Sequence, residues 1–267
     1  MEGEPFKLSH SKIESFLRCQ RQYWFKYVSG ERWPAQRDTP AGIAGTGVHR
    51  AMQKLCVTGN PADGEAELDA YLRMPKHAAA GPGTEWHRLA FEWYAAGVEA
   101  HRSIEAEQSW AEQGNSVKFA DISLYGGADR VDRLGPDRWQ VIDWKTGRFD
   151  LGPAEDRQLD ILHVVVRGLK KLPAEATVRA VAWNLRTGEQ RVRELTRDDA
   201  VNQVAYLARL AKRMLAEREF APSPGPLCGF CDWQDRCDAA AAVEVEGLDW
   251  VDEGLELAEA WEFEAGE

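Results

Sequence analysis

Apolar residues recur at helical spacing in several parts of the chain. The clearest stripe consists of Trp86, Leu89, Ala90, Trp93, Tyr94, Gly97, Val98 and His101. Similar spacing predicts a first helix from Ser11 to Tyr27, a helix that leads from Gly45 through Leu55, and helices over 65–72, 155–169 and 196–219. Because one face of each segment is apolar, we expect these helices to pack on a core.

Shorter segments rich in β-branched and aromatic residues predict strands. Two of them flank the turn sequence Gly135-Pro136-Asp137 and form a hairpin within residues 126–147. We expect an earlier strand over 104–110 and a later strand pair over 177–185 and 190–195. Together with the helices, this order predicts a mixed central β-sheet flanked by helices, in an α/β or α+β fold.

Two acids and a lysine are placed to meet at one end of the hairpin. Asp143 and Lys145 are two residues apart, so their side chains leave the same face of a strand, and Asp129 lies on the neighbouring strand. Two carboxylates that hold a divalent cation beside a lysine suit phosphodiester hydrolysis, because the cation neutralises phosphate charge and lowers the pKa of a bound water. Taken alone, the same residues are also consistent with solvated charges on a surface hairpin.

This hairpin resembles the paired core motifs of the PD-(D/E)xK nuclease superfamily. The matching residues are Gly126, Asp129-Arg130-Val131-Asp132 and Asp143-Trp144-Lys145-Thr146-Gly147. The sequence is most similar to the RecB-like branch, which includes the CRISPR-adaptation exonucleases and the nuclease domain of AddB. The resemblance covers most of residues 8–237 and implies a nuclease domain over 1–237, with a restriction-endonuclease-like core and a helical insert at about 59–103.

The resemblance also implies a site for Mg²⁺ or Mn²⁺. The segment Gly45-Thr46-Gly47-Val48-His49 is similar to the family's Gly-Thr-x-x-His motif, whose histidine reaches the metal. An imidazole is a good ligand for Mn²⁺ and a tolerable one for Mg²⁺, whereas a histidine on a helix can also be purely structural. The implied ligands are His49, Asp129, Asp143 and the carbonyl of Trp144, with Lys145 positioning the attacking water.

Two further residues are implied at the active site. Gln158 matches a family glutamine close to the site, although Leu162 stands where the family has a tyrosine, and we expect His163 beside it to be structural. Glu107 stands where many relatives carry a glutamate before the hairpin, and it either assists the metal site or is a strand-edge acid.

Four of the five cysteines form a second pattern. Cys228, Cys231 and Cys237 lie close together, and Cys19 lies 209 residues before the first of them. In a cytoplasmic chain a metal site is favoured over disulfides, and four thiolates suit zinc or an iron–sulfur cluster. The layout is that of the [4Fe–4S] cluster in RecB-like nucleases, so the resemblance implies such a cluster rather than zinc, although Gln20 replaces a customary proline. Cys56 is expected to be a buried thiol outside this cluster.

Charge is distributed unevenly along the chain. The net charge is −11, yet residues 238–267 hold eleven acids and no Lys or Arg, which leaves residues 1–237 neutral. The arginines near the hairpin either meet phosphates or serve solubility: Arg130, Arg133, Arg138 and Arg148. The acidic tail over 238–267 is either a disordered, solubilising extension or a segment that mimics DNA or binds a partner, such as a helicase or a CRISPR-adaptation integrase.

Neither a signal peptide nor an apolar run long enough to span a membrane is expected, and we predict a cytoplasmic protein. The resemblance implies a metal-dependent deoxyribonuclease, acting as an exonuclease on single-stranded DNA, in repair, recombination or CRISPR adaptation. Two alternatives stay open at this point. One is a catalytically silent DNA-binding or assembly subunit, and the other is a zinc-stabilised scaffold protein with a solvated hairpin.

Overall fold

The computed structural model describes residues 4–32, 39–111, 114–147 and 151–241 of the chain. It divides into two compact units, the first comprising residues 1–10 and 38–215 and the second residues 11–37 and 216–267. Arg148 and the acidic tail from residue 242 onwards lie outside the described residues. No helix in the described ranges combines the length and the apolar character that a membrane span requires.

The described strands all belong to the first unit. In chain order they are β1 (Phe6–Ser9), β2 (Gln108–Trp110), β3 (Asn115–Phe119), β4 (Ile122–Gly126), β5 (Arg130–Arg133), β6 (Arg138–Lys145), β7 (Thr177–Asn184) and β8 (Gln190–Leu195). The α-helices are α1 (His10–Arg18), α2 (Gln20–Tyr27), α3 (Pro40–Thr58), α4 (Pro61–Leu72), α5 (Glu85–Arg102), α6 (Pro153–Leu169), α7 (Arg197–Ala216) and α8 (Asp238–Ala241).

The predicted mixed sheet is confirmed as a five-stranded sheet in the order β2-β5-β6-β7-β8. Strands β6 and β7 run parallel, and the other neighbouring pairs are antiparallel. A separate three-stranded sheet, β1-β4-β3, was not expected from the sequence. The strand predicted over 104–110 is shorter than expected, because only Gln108–Trp110 pairs with β5.

Helices cover both faces of the five-stranded sheet. On one face, Val141 and Ala180 pack with α6 through residues such as Leu162. On the other face, Ile142 and Val181 pack with residues of α3, α4 and α5. Alternate residues of a strand point to opposite faces, so neighbouring positions of β6 belong to different cores. The helices α4 and α5 form the predicted insert between the His49 segment and the sheet.

The single helix predicted from Ser11 to Tyr27 was wrong, because the chain forms two helices that are separated at Cys19. Cys19 is extended, with φ −157° and ψ 111°. Its thiol accepts a hydrogen bond from the backbone N–H of Ser223 at 3.5 Å. The local apolar pattern continues across the break, so it does not predict this contact with the C-terminal segment of the same unit.

A buried ion pair connects the five-stranded sheet to the insert. Arg130 and Asp132 are 3% and 0% exposed, and Nε of Arg130 donates to Oδ1 of Asp132 at 2.7 Å. Arg130 also contacts Nδ1 of His101 on α5 at 2.7 Å and donates to Oγ of Ser109 at 3.1 Å. Neither interpretation of Arg130, contact with phosphates or a role in solubility, is correct, because its guanidinium is fully engaged inside the protein.

We expect Asp132→Ala to lower the free energy of unfolding by about 3–5 kcal/mol, because it leaves the Arg130 charge buried without its carboxylate. Chemical denaturation followed by circular dichroism measures this change. Asp137→Ala, at the exposed turn of the same hairpin, is the matched control and should shift stability by less than about 0.5 kcal/mol. Equal effects of the two substitutions would contradict a structural role for the pair.

Candidate functional site

The two acids of the hairpin meet at the end of β5 and β6. Arg130 pairs with Ile142 in the antiparallel register, which places the preceding Asp129 opposite Asp143. The backbone N–H of Asp129 donates to the Ile142 carbonyl at 3.0 Å and continues this pairing to the site. The Asp143 side chain is 8% exposed, whereas the Asp129 side chain is 23% exposed. The hairpin thus places one buried and one partly open carboxylate side by side.

Asp129 is held by a helix and by the neighbouring strand. Its Oδ1 lies 3.0 Å from Nδ1 of His49 on α3, and its Oδ2 accepts a hydrogen bond from the backbone N–H of Trp144 at 2.7 Å. Because both oxygens are engaged, the carboxylate has one defined orientation at the end of the sheet. The structure therefore brings His49, Asp129 and Trp144 together, although the contact of Trp144 is made by its backbone N–H and not by the carbonyl that was predicted as a metal ligand.

Lys145, Gln158 and Asp143 form a closed triangle of contacts. Nζ of Lys145 lies 2.8 Å from Oδ2 of Asp143 and donates to Oε1 of Gln158 at 2.7 Å. Nε2 of Gln158 then donates to Oδ1 of Asp143 at 2.8 Å. Gln158 lies on α6, which packs on the same face of the sheet as these two side chains. The triangle fixes the lysine and leaves one of its three N–H donors for another partner.

Burial and charge act in opposite directions on the ionisable groups of the site. Burial raises the pKa of Asp143 above its ordinary value, although the Lys145 ammonium opposes this shift. Burial lowers the pKa of His49, but the negative charge and hydrogen bond of Asp129, followed by Asp143, outweigh it and raise that pKa. Two close carboxylates in a buried position favour a nearby cation, which relieves their repulsion.

Close packing at two glycines brings the helices to the hairpin. A Cβ atom on Gly45 of α3 would lie 2.7 Å from Oγ1 of Thr146, the residue after Lys145. A Cβ atom on Gly126 would lie 3.2 Å from Val165 of α6. At Gly45 a side chain would require Thr146 to move, and at Gly126 it would require Val165 to give slightly, so both glycines let their neighbouring helices pack closely on the hairpin.

Glu107 does not join these residues. It is exposed and lies beyond the far end of β5, where Oε2 is 3.4 Å from Nε of Arg133. Its backbone N–H donates to the Arg133 carbonyl at 2.8 Å, which fixes its position at that end of the sheet. We therefore leave Glu107 out of the candidate site.

A loop that the sequence analysis missed also lies at the site. Asn184, at the end of β7, is 0% exposed and donates from Nδ2 to the carbonyl of Gly147 at 3.1 Å. The next residue, Leu185, donates its N–H to the Lys145 carbonyl at 2.8 Å. The sequence Asn184-Leu-Arg-Thr-Gly contains turn-forming residues, but only the parallel pairing of β6 and β7 shows that this turn adjoins Lys145.

The candidate site has the donor atoms for a divalent cation but not a closed arrangement of them. Within the described ranges, no three His, Cys, Asp or Glu side chains are arranged around one metal position. The oxygens of Asp129 instead contact His49 and Trp144, as described above. The donor set of two carboxylates, an imidazole and a carbonyl nevertheless suits Mg²⁺ or Mn²⁺. Oδ2 of Asp143 is buried and lies 2.8 Å from Nζ of Lys145, so this carboxylate oxygen retains a second lone pair for a cation.

In the second unit, one cavity of about 30 Å³ is lined by Cys19, Cys228, Cys231 and Cys237. Gln22 donates to Sγ of Cys231 at 3.6 Å, and the backbone N–H of Gly225 donates to Sγ of Cys228 at 3.5 Å. Burial raises the pKa of the Cys231 thiol, although hydrogen bonds from the backbone of Trp233 and from Gln22 oppose this shift. The thiols are not joined by disulfides, and Cys56 on α3 is half-buried rather than buried. The four cysteines of the motif are thus gathered in one pocket.

A sequence model of the PD-(D/E)XK nuclease superfamily matches residues 7–238 of this protein. The chain belongs to the PD-(D/E)XK nuclease superfamily. The match spans the His49 segment, the hairpin and the C-terminal cysteines. Nucleases of this superfamily usually use Mg²⁺ or Mn²⁺, which agrees with the donor set of the site.

A solved structure shares the fold of this protein. A crystal structure described as "Putative exonuclease" from Eubacterium rectale aligns with a TM-score of 0.51 and 14% sequence identity, over 91% of this chain and 90% of that chain. At this identity the similarity supports the fold alone. The structure of SSO0001 aligns over 86% of this chain and 93% of its own, with 16% identity and a TM-score of 0.35. No curated protein sequence matches the nuclease.

The nuclease should lose stability in mild acid through His163. This residue of α6 is 1% exposed, and burial lowers its pKa to about 4 from an ordinary value of 6.5. The unfolded chain therefore binds a proton between pH 6.5 and about 4 that the folded protein does not, and stability falls as the pH decreases through this range. The loss at the lower end is about 3 kcal/mol. Urea unfolding at several pH values should show it, and His163→Gln should flatten the profile; an unchanged profile would contradict this assignment.

Proposed function

We propose that this nuclease is a metal-dependent deoxyribonuclease that hydrolyses phosphodiester bonds at single strands or ends. The observation that carries the proposal is the convergence of four side chains at one end of the hairpin. Asp129 and Asp143 face each other across two strands, with His49 and Lys145 in contact with them. This donor set beside a fixed ammonium is suited to a phosphodiester, because it can stabilise the negative charge on the phosphoryl oxygens in the transition state.

The proposed metal ligands are His49, Asp129, Asp143 and the carbonyl of Trp144. Bound Mg²⁺ or Mn²⁺ would supply Lewis-acid neutralisation of phosphate charge. Asp129 is held in place by the Trp144 N–H, so it does not have to be ordered when a ligand binds.

Lys145 is proposed to orient the attacking water or to stabilise negative charge at the phosphate. Its ammonium is held between Asp143 and Gln158, at 2.8 and 2.7 Å. Gln158 is a positioning residue in this proposal, because it contacts both the lysine and the acid and keeps them in one arrangement. A lysine with two fixed contacts loses little conformational freedom when the substrate binds.

The preference for single-stranded DNA and for exonuclease action rests on the resemblance to the RecB-like branch. A catalytically silent subunit is the alternative, and the contact between Asp143 and Lys145 favours the enzyme over it. A role in repair, recombination or CRISPR adaptation, a cytoplasmic location and a helicase or integrase partner that binds the acidic tail belong to the same proposal. So does the division into a nuclease domain over 1–237 and a tail over 238–267.

We also propose that Cys19, Cys228, Cys231 and Cys237 hold a [4Fe–4S] cluster with a structural role. The four thiols line one cavity, which supports a shared ligand in the second unit. The sulfur atoms of Cys19, Cys228 and Cys231 each accept an N–H hydrogen bond, and hydrogen bonds of this kind surround the sulfurs of iron–sulfur sites. Zinc is the alternative, since four thiolates suit either centre. The ligand would join α1 and α2 to the C-terminal segment of this unit.

We expect the protein to degrade end-labelled single-stranded DNA in Mn²⁺ and to lose this activity when the metal is chelated. Lys145→Ala should lower the cleavage rate by about 100-fold or more, because it removes the ammonium from the reacting phosphate. The matched control is Lys118→Ala, at an exposed position of β3 in the same unit, which should cleave at the wild-type rate. Wild-type protein that binds DNA without metal-dependent cleavage would favour the silent-subunit alternative.

Anaerobically purified protein should be brown, absorb near about 400 nm and contain about four irons per chain. Cys228→Ser should remove iron and lower thermal stability, because a serine hydroxyl is a poor ligand for iron. Cys56→Ser should retain the full iron content, since Cys56 lies on α3, outside the cysteine cavity. Stoichiometric zinc without iron would replace the cluster by a zinc site, and a colourless protein with neither metal would reject both.

A further inference from the structure

An arginine lies at the same end of the sheet as the candidate active site. Arg186 follows β7 by two residues, and β7 runs parallel to β6 with Asn184 in register with Lys145. Leu185, which lies between Asn184 and Arg186, donates its backbone N–H to the carbonyl of Lys145 at 2.8 Å. Arg186 thus directly follows a residue whose backbone is hydrogen-bonded to the backbone of the proposed catalytic lysine.

The backbone at Arg186 is fixed by the buried Asn184. Oδ1 of Asn184 accepts a hydrogen bond from the N–H of Arg186 at 2.9 Å, and its Nδ2 donates to the Gly147 carbonyl at 3.1 Å. One side chain therefore connects the turn after β7 to the loop after the catalytic lysine. This connection sets the position of Arg186 relative to the site before any ligand binds.

Arg186 differs from most arginines of the first unit in its partners. Others pair with carboxylates, such as Arg50 with Glu67 and Arg191 with Asp156. Arg186 is exposed, and its guanidinium lies 5.9 Å from the ring centroid of Trp93 on α5. Within the part of the chain that the structure describes, it pairs with no Asp or Glu. Stacking on an aromatic ring orients a guanidinium and leaves its N–H donors available for an anion.

We propose that Arg186 binds a backbone phosphate of the DNA strand beside the scissile one. This inference rests on the proposed nuclease function and adds a substrate-binding residue to it. A planar guanidinium with available donors matches the oxygens of a phosphate and can bind two of them at once. Arg186 is a binding residue in this role, since its contact is with the strand and not with the reacting atoms.

The test measures affinity for an end-labelled single-stranded oligodeoxynucleotide at several salt concentrations, without divalent metal so that cleavage is absent. A contact with one phosphate of a single strand contributes about 0.7 to the slope of log affinity against log salt. Arg186→Ala should reduce the slope by about this amount and weaken binding about tenfold at low salt. Arg186→Gln, which keeps most of the side-chain length over Trp93, should show the same reduced slope and covers the case that the alanine variant is unstable.

The matched control is Arg138→Ala. The sequence left open whether Arg138 meets phosphates or serves solubility, and the structure favours solubility, because this exposed residue lies at the opposite end of β6 from Lys145. The variant should therefore retain the wild-type slope. In Mn²⁺, Arg186→Ala should raise the KM for cleavage more than it lowers kcat. Equal slopes for wild type, Arg186→Ala and Arg186→Gln would overturn the proposal.

Failure of the nuclease proposal is distinguishable from failure of this inference. Wild-type protein that binds the oligonucleotide but does not cleave it in Mn²⁺ would reject the nuclease function. A reduced slope for both Arg186 variants under those conditions would still support the phosphate contact. Cleavage by the wild type with an unchanged slope and unchanged KM in the variants would reject the contact alone.

Discussion

The antiparallel pairing of β5 with β6 is the constraint on which the site depends. It places Asp129 opposite Asp143, and the Trp144 N–H then orients the Asp129 carboxylate. A slip of one residue would send every side chain of one strand to the other face and would separate the two acids. The register is held by hydrophobic burial on both faces, since Val141 packs under α6 and Ile142 packs against the helical layer of α3 to α5. The position of the site thus depends on β6, whose neighbouring residues are buried in two different hydrophobic cores.

Charge is handled differently on the two faces of the hairpin. On the insert side, Arg130 and Asp132 neutralise each other completely inside the protein and connect the sheet to α5. On the α6 side, Asp129 and Asp143 supply two carboxylates, and Lys145 supplies one ammonium, 2.8 Å from Asp143. Negative charge therefore remains for a cation. Alternation along a strand explains the separation, because Asp129 and Arg130 are adjacent yet face opposite ways. The insert side of the hairpin stabilises the fold, and we propose that the α6 side carries the catalytic residues.

The loops beyond the parallel strands extend the site. Parallel pairing of β6 and β7 brings the ends of both strands to one edge, where Asn184 joins the loop after Lys145 to the turn that carries Arg186. Ligand sites at the carboxyl ends of parallel strands are common because the loops that follow converge there. In this protein, the loop after Lys145 lies next to the proposed metal ligands, and the turn after β7 carries the guanidinium of Arg186 to the same edge of the sheet.

The sequence by itself determined the mixed sheet with flanking helices, the hairpin and the motifs that hold His49, Asp143 and Lys145, because periodicity, turn chemistry and residue spacing are local properties. Only the tertiary structure decided that Arg130 is buried, that Glu107 lies at the far end of the sheet and that the first helix breaks at Cys19. These outcomes depend on contacts between segments that are distant along the chain, such as Arg130 with His101. A local pattern contains no record of such contacts, since they form only when the sheets and helices pack.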